Sequence, residues 1–448
     1  MNTPIVDFVK AYAQSDKARF HMPGHKGVSF FGCESLDITE IKGADELFVP
    51  EGIILESERN AASLFGTART LYSAGGSTQS IHAMLFQAYV NAEKGERPFV
   101  LAGRNAHKAF IYAATKLDFH VKWLYPEKTD SICSCVINPD MLKKALGECE
   151  YKPFAVYITS PDYLGGVSDI KALSEVCREY GVPLLVDNAH GAYLAFCKEN
   201  MHPIALGADM CCDSAHKTLP VLTGGGYLHI AADDKYGFAE GAVRAMSLFG
   251  STSPSYLIMQ SLDMCNRYIS ERIRNDIDNC AARVEKTRKV MKNHGVNDIS
   301  CEPLKITADF RNNGIDGFDD IGDYFRSFDI EPEYTDGDFV VFMVSPFNSE
   351  NDFERLEKAF ENIKLTKRTR EEFVLPQGKA AVSVREAVFS LGEEIAATDA
   401  QGRICAAPTV SCPPAIPIAV SGEVITDEHI RLFEYYGTEK IAVIKKFD

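Results

Sequence analysis

Residues 183–230 read PLLVDNAHGAYLAFCKENMHPIALGADMCCDSAHKTLPVLTGGGYLHI, and their pattern decides the fold class. Three short apolar runs, Pro183–Asp187, Met210–Asp213 and Gly226–Ile230, are separated by stretches of mixed polar and apolar residues. Upstream, the same alternation gives strand candidates at Phe99–Ala102, His120–Leu124 and Phe154–Thr159. Helical stretches lie between, as at Ile170–Tyr180, where Ile170, Leu173, Val176, Cys177 and Tyr180 share a face. Continuously apolar strands separated by amphipathic helices predict a parallel sheet covered on both faces. Ligands of such sheets bind at the carboxyl ends of the strands. Residues that follow those ends are therefore the functional candidates.

Lys217 follows Met210–Asp213 within DSAHKTLPVLTGGGY. A lysine just past a strand end, beside hydroxyl residues and a histidine, suits a Schiff base with an aldehyde cofactor. Burial and nearby positive charge lower a lysine's pKa, and the neutral amine is the nucleophile. A solvated loop lysine is the ordinary alternative, but S-x-H-K-T before three glycines is a rare pattern. Ser214 is placed to hydrogen-bond a phosphate. Asp187 ends the run PLLVD, 30 residues before Lys217. An aspartate there can pair with a pyridinium nitrogen, keep it protonated and make the ring an electron sink; capping of the next turn is the competing role. His190 either acts near the ring or satisfies the loop backbone.

In SAGGSTQSIHAMLFQAYV (residues 73–90), Gly75 and Gly76 permit close backbone approach, and Ser77–Thr78–Gln79 begin a helix. The free N–H groups and positive dipole end of that helix suit a phosphate, although Ser77 and Thr78 also read as plain caps. His107, in GRNAHKAF after FVLAG, is a candidate to stack on a cofactor ring or to cap a helix. These features together point to pyridoxal 5'-phosphate.

With these motifs in this order, the chain resembles the Orn/Lys/Arg decarboxylase family, bacterial basic amino-acid decarboxylases of the aspartate-aminotransferase fold. The likeness is carried by HMPGHKG (His21–Gly27), by DITEIKGADELFVPEGIILESERNAASLFGTARTLYSAGGST (residues 37–78) and by TSPDYLGGVSDI (Thr159–Ile170). SAHKT, TSPSY (Thr252–Tyr256), REAVF and CPPAIPIAVSGEVIT extend it nearly end to end. The resemblance implies an α/β, fold type I large domain with a mostly parallel seven-stranded sheet, a smaller α+β domain and a C-terminal domain. It implies Lys217 as the Schiff-base lysine, His107 as the ring-stacking residue and Asp187 as the pyridinium partner. Gly76, Ser77, Thr78, Ser214 and His216 would surround the phosphate. A homodimer with shared active sites is expected, Thr252 or Ser253 being contributed by the neighbour. The reaction implied is loss of the α-carboxylate of arginine, lysine or ornithine as carbon dioxide, giving a polyamine precursor. Glu423 and Asp45 are candidates by position for the substrate's distal cation, and His25 is a further substrate candidate.

The sequence departs from the family pattern in places. The usual acidic residue after the ring aspartate is Asn188. The usual Y-P-P-G-I-P and P-G-E read Cys412-Pro413-Pro414-Ala415-Ile416-Pro417 and Ser421-Gly422-Glu423. No segment matches the family's N-terminal receiver-like wing, so the short biosynthetic-type branch is expected. Two other outcomes stay open: another pyridoxal reaction such as transamination, or a cofactor-binding homologue without activity. The first needs a late arginine for the α-carboxylate, and none is clear; the second sits poorly with intact Lys217, Asp187 and His107.

The 448 residues carry a net charge of −16, which argues against nucleic-acid or anionic-membrane partners because both require a basic footprint. No stretch approaches the roughly 20 apolar residues of a spanning helix, and the start has no secretory pattern. Thirteen cysteines, none in a C-x-x-C pair, read as reduced, mostly buried thiols in a cytoplasm, with no metal expected. The expected division is an N-terminal segment (1–60), a cofactor-binding large domain (61–265), a small α+β domain (266–368) and a C-terminal domain (369–448). A long helical region spans about 258–293, strand candidates follow at Leu304–Phe310 and Phe339–Val344, and the charged run KLTKRTREEF marks the last boundary.

Overall fold

The computed structural model describes residues 1–91, 97–370, 372–408 and 414–446. Its largest sheet has seven strands: β1 (Thr67–Ser73), β2 (Phe99–Gly103), β3 (His120–Leu124), β4 (Ala155–Thr159), β5 (Leu184–Asp187), β6 (Met210–Asp213) and β7 (Gly226–Ala231). Their order is β1-β7-β6-β5-β4-β2-β3. β2 pairs with β3, β4 with β5 and β5 with β6 in parallel, whereas β7 is antiparallel to both its neighbours. The α/β sheet is mostly parallel, as the sequence predicts. β5, β6 and β7 are buried at every position, which is why they read as unbroken apolar runs.

β1 is the strand that the sequence pattern does not reveal. TARTLYS mixes polar and apolar residues, and only its second half is buried, as befits an edge. Ser73 of β1 lies opposite Gly226 of β7, so the glycine turn that follows starts beside the glycine run before β7. Between Asp187 and Lys217 the chain makes only a 3-10 turn, Ala192–Phe196, and strand β6.

The chain forms two compact units, residues 1–96, 146–160 and 169–276, and residues 97–145, 161–168 and 277–448. In the first, helix Pro4–Ala13 starts with proline, whose missing N–H would be unpaired there in any case. The next two donors, Ile5 and Val6 N–H, both reach Asp263 Oδ2 at 3.0 Å, and Ser57 Oγ donates to Oδ1 at 2.6 Å. One buried carboxylate thus fixes the start of the chain on helix Tyr256–Glu271. Helix Ile170–Tyr180 is held at both ends: Asp169 accepts from Ala172 N–H, and Gly181 closes it in the left-handed conformation. Its buried face is Ile170, Leu173, Ser174, Val176 and Cys177. Full burial of one such aliphatic side chain contributes about 1.5–3 kcal/mol.

In the second unit, strands Tyr334–Thr335, Phe339–Met343, Lys305–Asp309 and Asn297–Asp298 form an antiparallel sheet in that order. One buried cluster joins Tyr334, Phe339 and Val341 of this sheet to Cys405, Ile418, Phe433 and Val443 near the C-terminus. The charged run at 364–373 is not simply a linker. Leu365–Lys367 pairs with Asn313–Ile315, and Arg368 and Arg370 form ion pairs with buried Asp338. Solvent-facing charges on a short edge strand hide it from pattern reading. The helical region expected at 258–293 is two helices, Tyr256–Glu271 and Ile273–Asn293. Among the described residues no helix is long and apolar enough to cross a membrane.

Glu58, inward on helix Ile53–Phe65, ties that helix to β1 by accepting Tyr72 N–H at 2.9 Å. Burial pushes its carboxyl up to about 8, outweighing that hydrogen bond. An unfolded glutamate loses its proton near 4.5. Between these values the unfolded chain releases a proton that the folded chain retains, so stability falls as pH rises through the window. Glu58→Gln keeps the bond from Tyr72 and should flatten the decline of melting temperature between roughly pH 5 and pH 8. An unchanged slope would assign the decline to other groups.

Candidate active site

β5 delivers Asp187 to its carboxyl end with almost no exposure. Tyr157 of β4 donates its hydroxyl to Asp187 Oδ2 at 3.0 Å, Ala189 N–H reaches Oδ1 at 3.2 Å and the Cys212 thiol reaches Oδ1 at 3.6 Å. Burial raises this carboxyl above the usual range, and Tyr157, Lys217 and the Ala189 N–H only partly oppose it. A cationic N–H in the same place would restore the anion.

Lys217 lies in the short helix Ala215–Thr218 after β6, and its Nζ is 2.9 Å from His190 Nε2. The lysine is exposed while His190 is buried. Among the described residues, the buried hydroxyl of neighbouring Thr218 has no hydrogen-bond partner. His216 Nδ1–H donates to Gly225 O at 2.9 Å, which fixes the glycine run beside it.

The phosphate candidates converge on one turn. Gly76, at φ +66°, opens helix Gly76–Asn91, and its N–H donates to Gly224 O at 2.7 Å. Ser214 Oγ donates to Ser77 Oγ at 2.8 Å, so the loop after β6 meets the first turn of the helix. The first-turn N–H groups of any helix have no partner in the helix itself. Gly226 lets the two backbones approach: a Cβ there would lie 2.8 Å from Asp213 O, 3.2 Å from Gly76 C and 3.3 Å from Ser77 N. Hydroxyls, free N–H groups and a tight backbone fit a phosphate, and the buried carboxylate fits a protonated ring nitrogen.

Other predicted residues have different surroundings. His107 belongs to the second unit, where it caps helix Lys108–Leu117 by accepting Ala109 N–H on Nδ1 at 3.1 Å. Thr252 and Ser253 are exposed just before helix Tyr256–Glu271. His25 is half-buried with Nε2 3.2 Å from Asp37. Asp45 is occupied by the backbone, accepting from Glu46, Glu51, Gly52 and Ile54 N–H. Glu423 is buried beside Arg104 and His429. Ala415 sits at φ +58°, the left-handed conformation in which the family pattern has glycine. Cys412 and Pro413 lie outside the described residues.

Sequence reasoning missed two neighbours of Asp187. Tyr157 is hidden in the apolar run AVYIT. Asp213, one position past Cys212, accepts from Asn188 Nδ2 at 2.7 Å and lies 3.1 Å from both His202 Nε2 and His229 Nε2. Against the burial penalty, these two imidazoles hold its carboxyl well below the usual range. Among the described residues, His202, Cys211 and Asp213 also bring donor atoms within 4.8 Å of one another. Hydrogen bonds already account for that grouping.

The sequence profile of the Orn/Lys/Arg decarboxylase major domain matches residues 3–309, and that of the Orn/Lys/Arg decarboxylase C-terminal domain matches residues 363–443. The chain belongs to the Orn/Lys/Arg decarboxylase family. It is therefore a carboxy-lyase, and its cofactor is pyridoxal 5'-phosphate. An arginine decarboxylase of Bacillus subtilis is 28% identical, the match covering 96% of this chain and 92% of the relative. One from Halalkalibacterium halodurans is 27% identical over the same shares. Among solved structures, a lysine decarboxylase of Francisella novicida aligns over 99% of this chain and 81% of its own, with TM-score 0.81 and 16% identity. That likeness shows the shared fold.

Gly226→Ala should leave the fold intact but spread the phosphate turn, weakening retention of the cofactor roughly tenfold or more. Equilibrium dialysis against pyridoxal phosphate would check this, and unaltered retention would place the phosphate elsewhere.

Proposed function

We propose that this family member removes the α-carboxylate of a basic amino acid (arginine, lysine or ornithine), releasing carbon dioxide and a polyamine precursor. The observation that carries the reading is the meeting of Asp187, the Lys217–His190 pair and the Ser77–Ser214 turn at the carboxyl ends of β5 and β6. When bound, pyridoxal phosphate supplies an aromatic ring that accepts the electron pair left as the carboxylate departs.

The chain's own residues divide the remaining work. Asp187 binds the ring N–H, and Tyr157 orients the carboxylate from the next strand. Lys217 carries the cofactor, and His190, within hydrogen-bond reach, takes or returns the proton on Nζ. Ser77, Thr78, Ser214 and His216 hold or frame the phosphate. For His107 the sequence resemblance supports a ring-stacking role. For the distal cation, the engaged state of Asp45 and Glu423 favours neither of them. The names of the sequence relatives, arginine decarboxylases, support arginine as the first of the three substrates to test.

The chain works as a cytoplasmic homodimer in this reading. Phe20, Phe30 and Phe31 are 96%, 86% and 86% exposed, and Met22 and Val28 beside them are exposed too. So much apolar surface on one short segment suits burial against a second copy. All twelve described cysteines are free and most are buried, which fits a reducing compartment.

Borohydride reduction of the yellow protein should fix the cofactor on the Lys217 peptide; label on another lysine would remove this site. Carboxyl-labelled arginine, lysine and ornithine, incubated separately, should yield labelled carbon dioxide from at least one. Lys217→Ala should abolish release while the protein stays folded, and release from none of the three by wild type would overturn the reaction. Gel filtration should give twice the chain mass, and Phe30→Ser with Phe31→Ser should shift it toward the monomer. A wild-type monomer would rule out the shared site.

A further inference from the structure

The turn that presents His107 is fastened from more than 300 residues away, within the same compact unit. Lys108 N–H, directly after His107, donates to Ala415 O at 2.9 Å. Arg104, three residues before it, donates through Nη1 to Pro417 O and through Nη2 to Ile418 O, both at 2.8 Å. The guanidinium carbon lies 5.4 Å from the Trp123 ring centre, and Nη2 is 3.6 Å from Glu423 Oε2. Glu423 in turn accepts Val420 N–H at 2.8 Å, closing its own loop, and His429 Nε2 lies 3.8 Å behind it.

An arginine with 2% exposure is expensive unless its charge and its donors are met. Here a carboxylate, two consecutive carbonyls and an aromatic face meet the charge and both terminal nitrogens, and among the described residues the buried Nε–H has no hydrogen-bond partner. A planar fork can span adjacent carbonyls, which a single ammonium cannot. The arrangement acts on both sides of one residue: Arg104 fixes the chain before His107, and Ala415 O fixes it after. Ala109 N–H fixes the imidazole from within.

We infer that Arg104 and Glu423 are positioning residues, a latch that clamps the 415–423 segment onto the His107 turn so that the C-terminal region sets the pose of the imidazole. Glu423 then serves as the counter-ion of Arg104 and is not the acceptor of the substrate's distal cation. The inference rests on the ring-stacking role proposed for His107.

A double-mutant cycle tests it with kcat, KM and the visible absorption of the bound cofactor as readouts. Arg104→Lys should lower kcat about 10- to 100-fold, change KM less than about threefold and shift the cofactor absorption band. In the background of His107→Ala, adding Arg104→Lys should cost no more than about twofold further, because both changes disable one function. Losses that multiply across the two sites, or a lower melting temperature with kcat and absorption unmoved, would reduce the latch to ordinary packing. Should Arg104→Lys fail to fold, Glu423→Gln enters the same cycle under the same criteria. Absence of carbon dioxide release by wild type would instead strike the proposed reaction. A wild-type rate in His107→Ala would strike the stacking role and the latch with it.

Discussion

A carboxylate removed from water at the end of β5 is the constraint that the rest of the site answers. Asp187 is inside the protein because β5 is apolar along its whole length and is flanked by β4 and β6. Burial drives it toward the neutral acid, and a phenol, the Lys217 charge, one backbone N–H and a thiol only partly oppose this. A low local dielectric makes that cost large, and it makes the attraction for a cationic ring nitrogen equally large. The same burial that destabilises the isolated anion would thus favour a cationic ring nitrogen beside it, the role proposed for Asp187.

A second buried acid lies next door and behaves in the opposite way. Cys212 of β6 stands opposite Asp187, and Asp213 is the next residue. With two imidazoles and the Asn188 amide around it, Asp213 stays ionised, while Asp187 is pushed up. Two carboxylates on neighbouring strands are driven apart in acidity by their surroundings, the general way in which one scaffold assigns different roles to like groups. The residue after Asp187 is asparagine, and the charge that meets its side chain comes from the adjoining strand.

The phosphate turn shows how close approach and chemistry coincide. Gly224 O accepts from Gly76, Gly226 leaves no room for a side chain, and Ser77 meets Ser214 across the gap. Each glycine is needed for a different reason. The first turn of a long helix is thereby brought to the loop that carries Lys217, an arrangement that would suit an anion.

Much of this was legible in residues 183–230 alone. Unbroken apolar runs have to be buried on both faces, so β5, β6 and β7 and the residues at their ends followed from the pattern. β1 did not, because half of an edge strand faces water and carries no apolar signature. Tyr157 and Asp213 escaped for a related reason: a polar atom within an apolar strand has no periodicity to betray its partner. Asp45 and Glu423 were candidates by position for the substrate's distal cation, yet one binds a row of backbone N–H groups and the other an arginine more than 300 positions away. Local pattern determined which segments are strands and which residues stand at their ends, because burial period and turn chemistry are written within a few neighbouring positions. Only the tertiary structure decided which charges are already spoken for, because the partner that neutralises a buried group can come from anywhere along the chain.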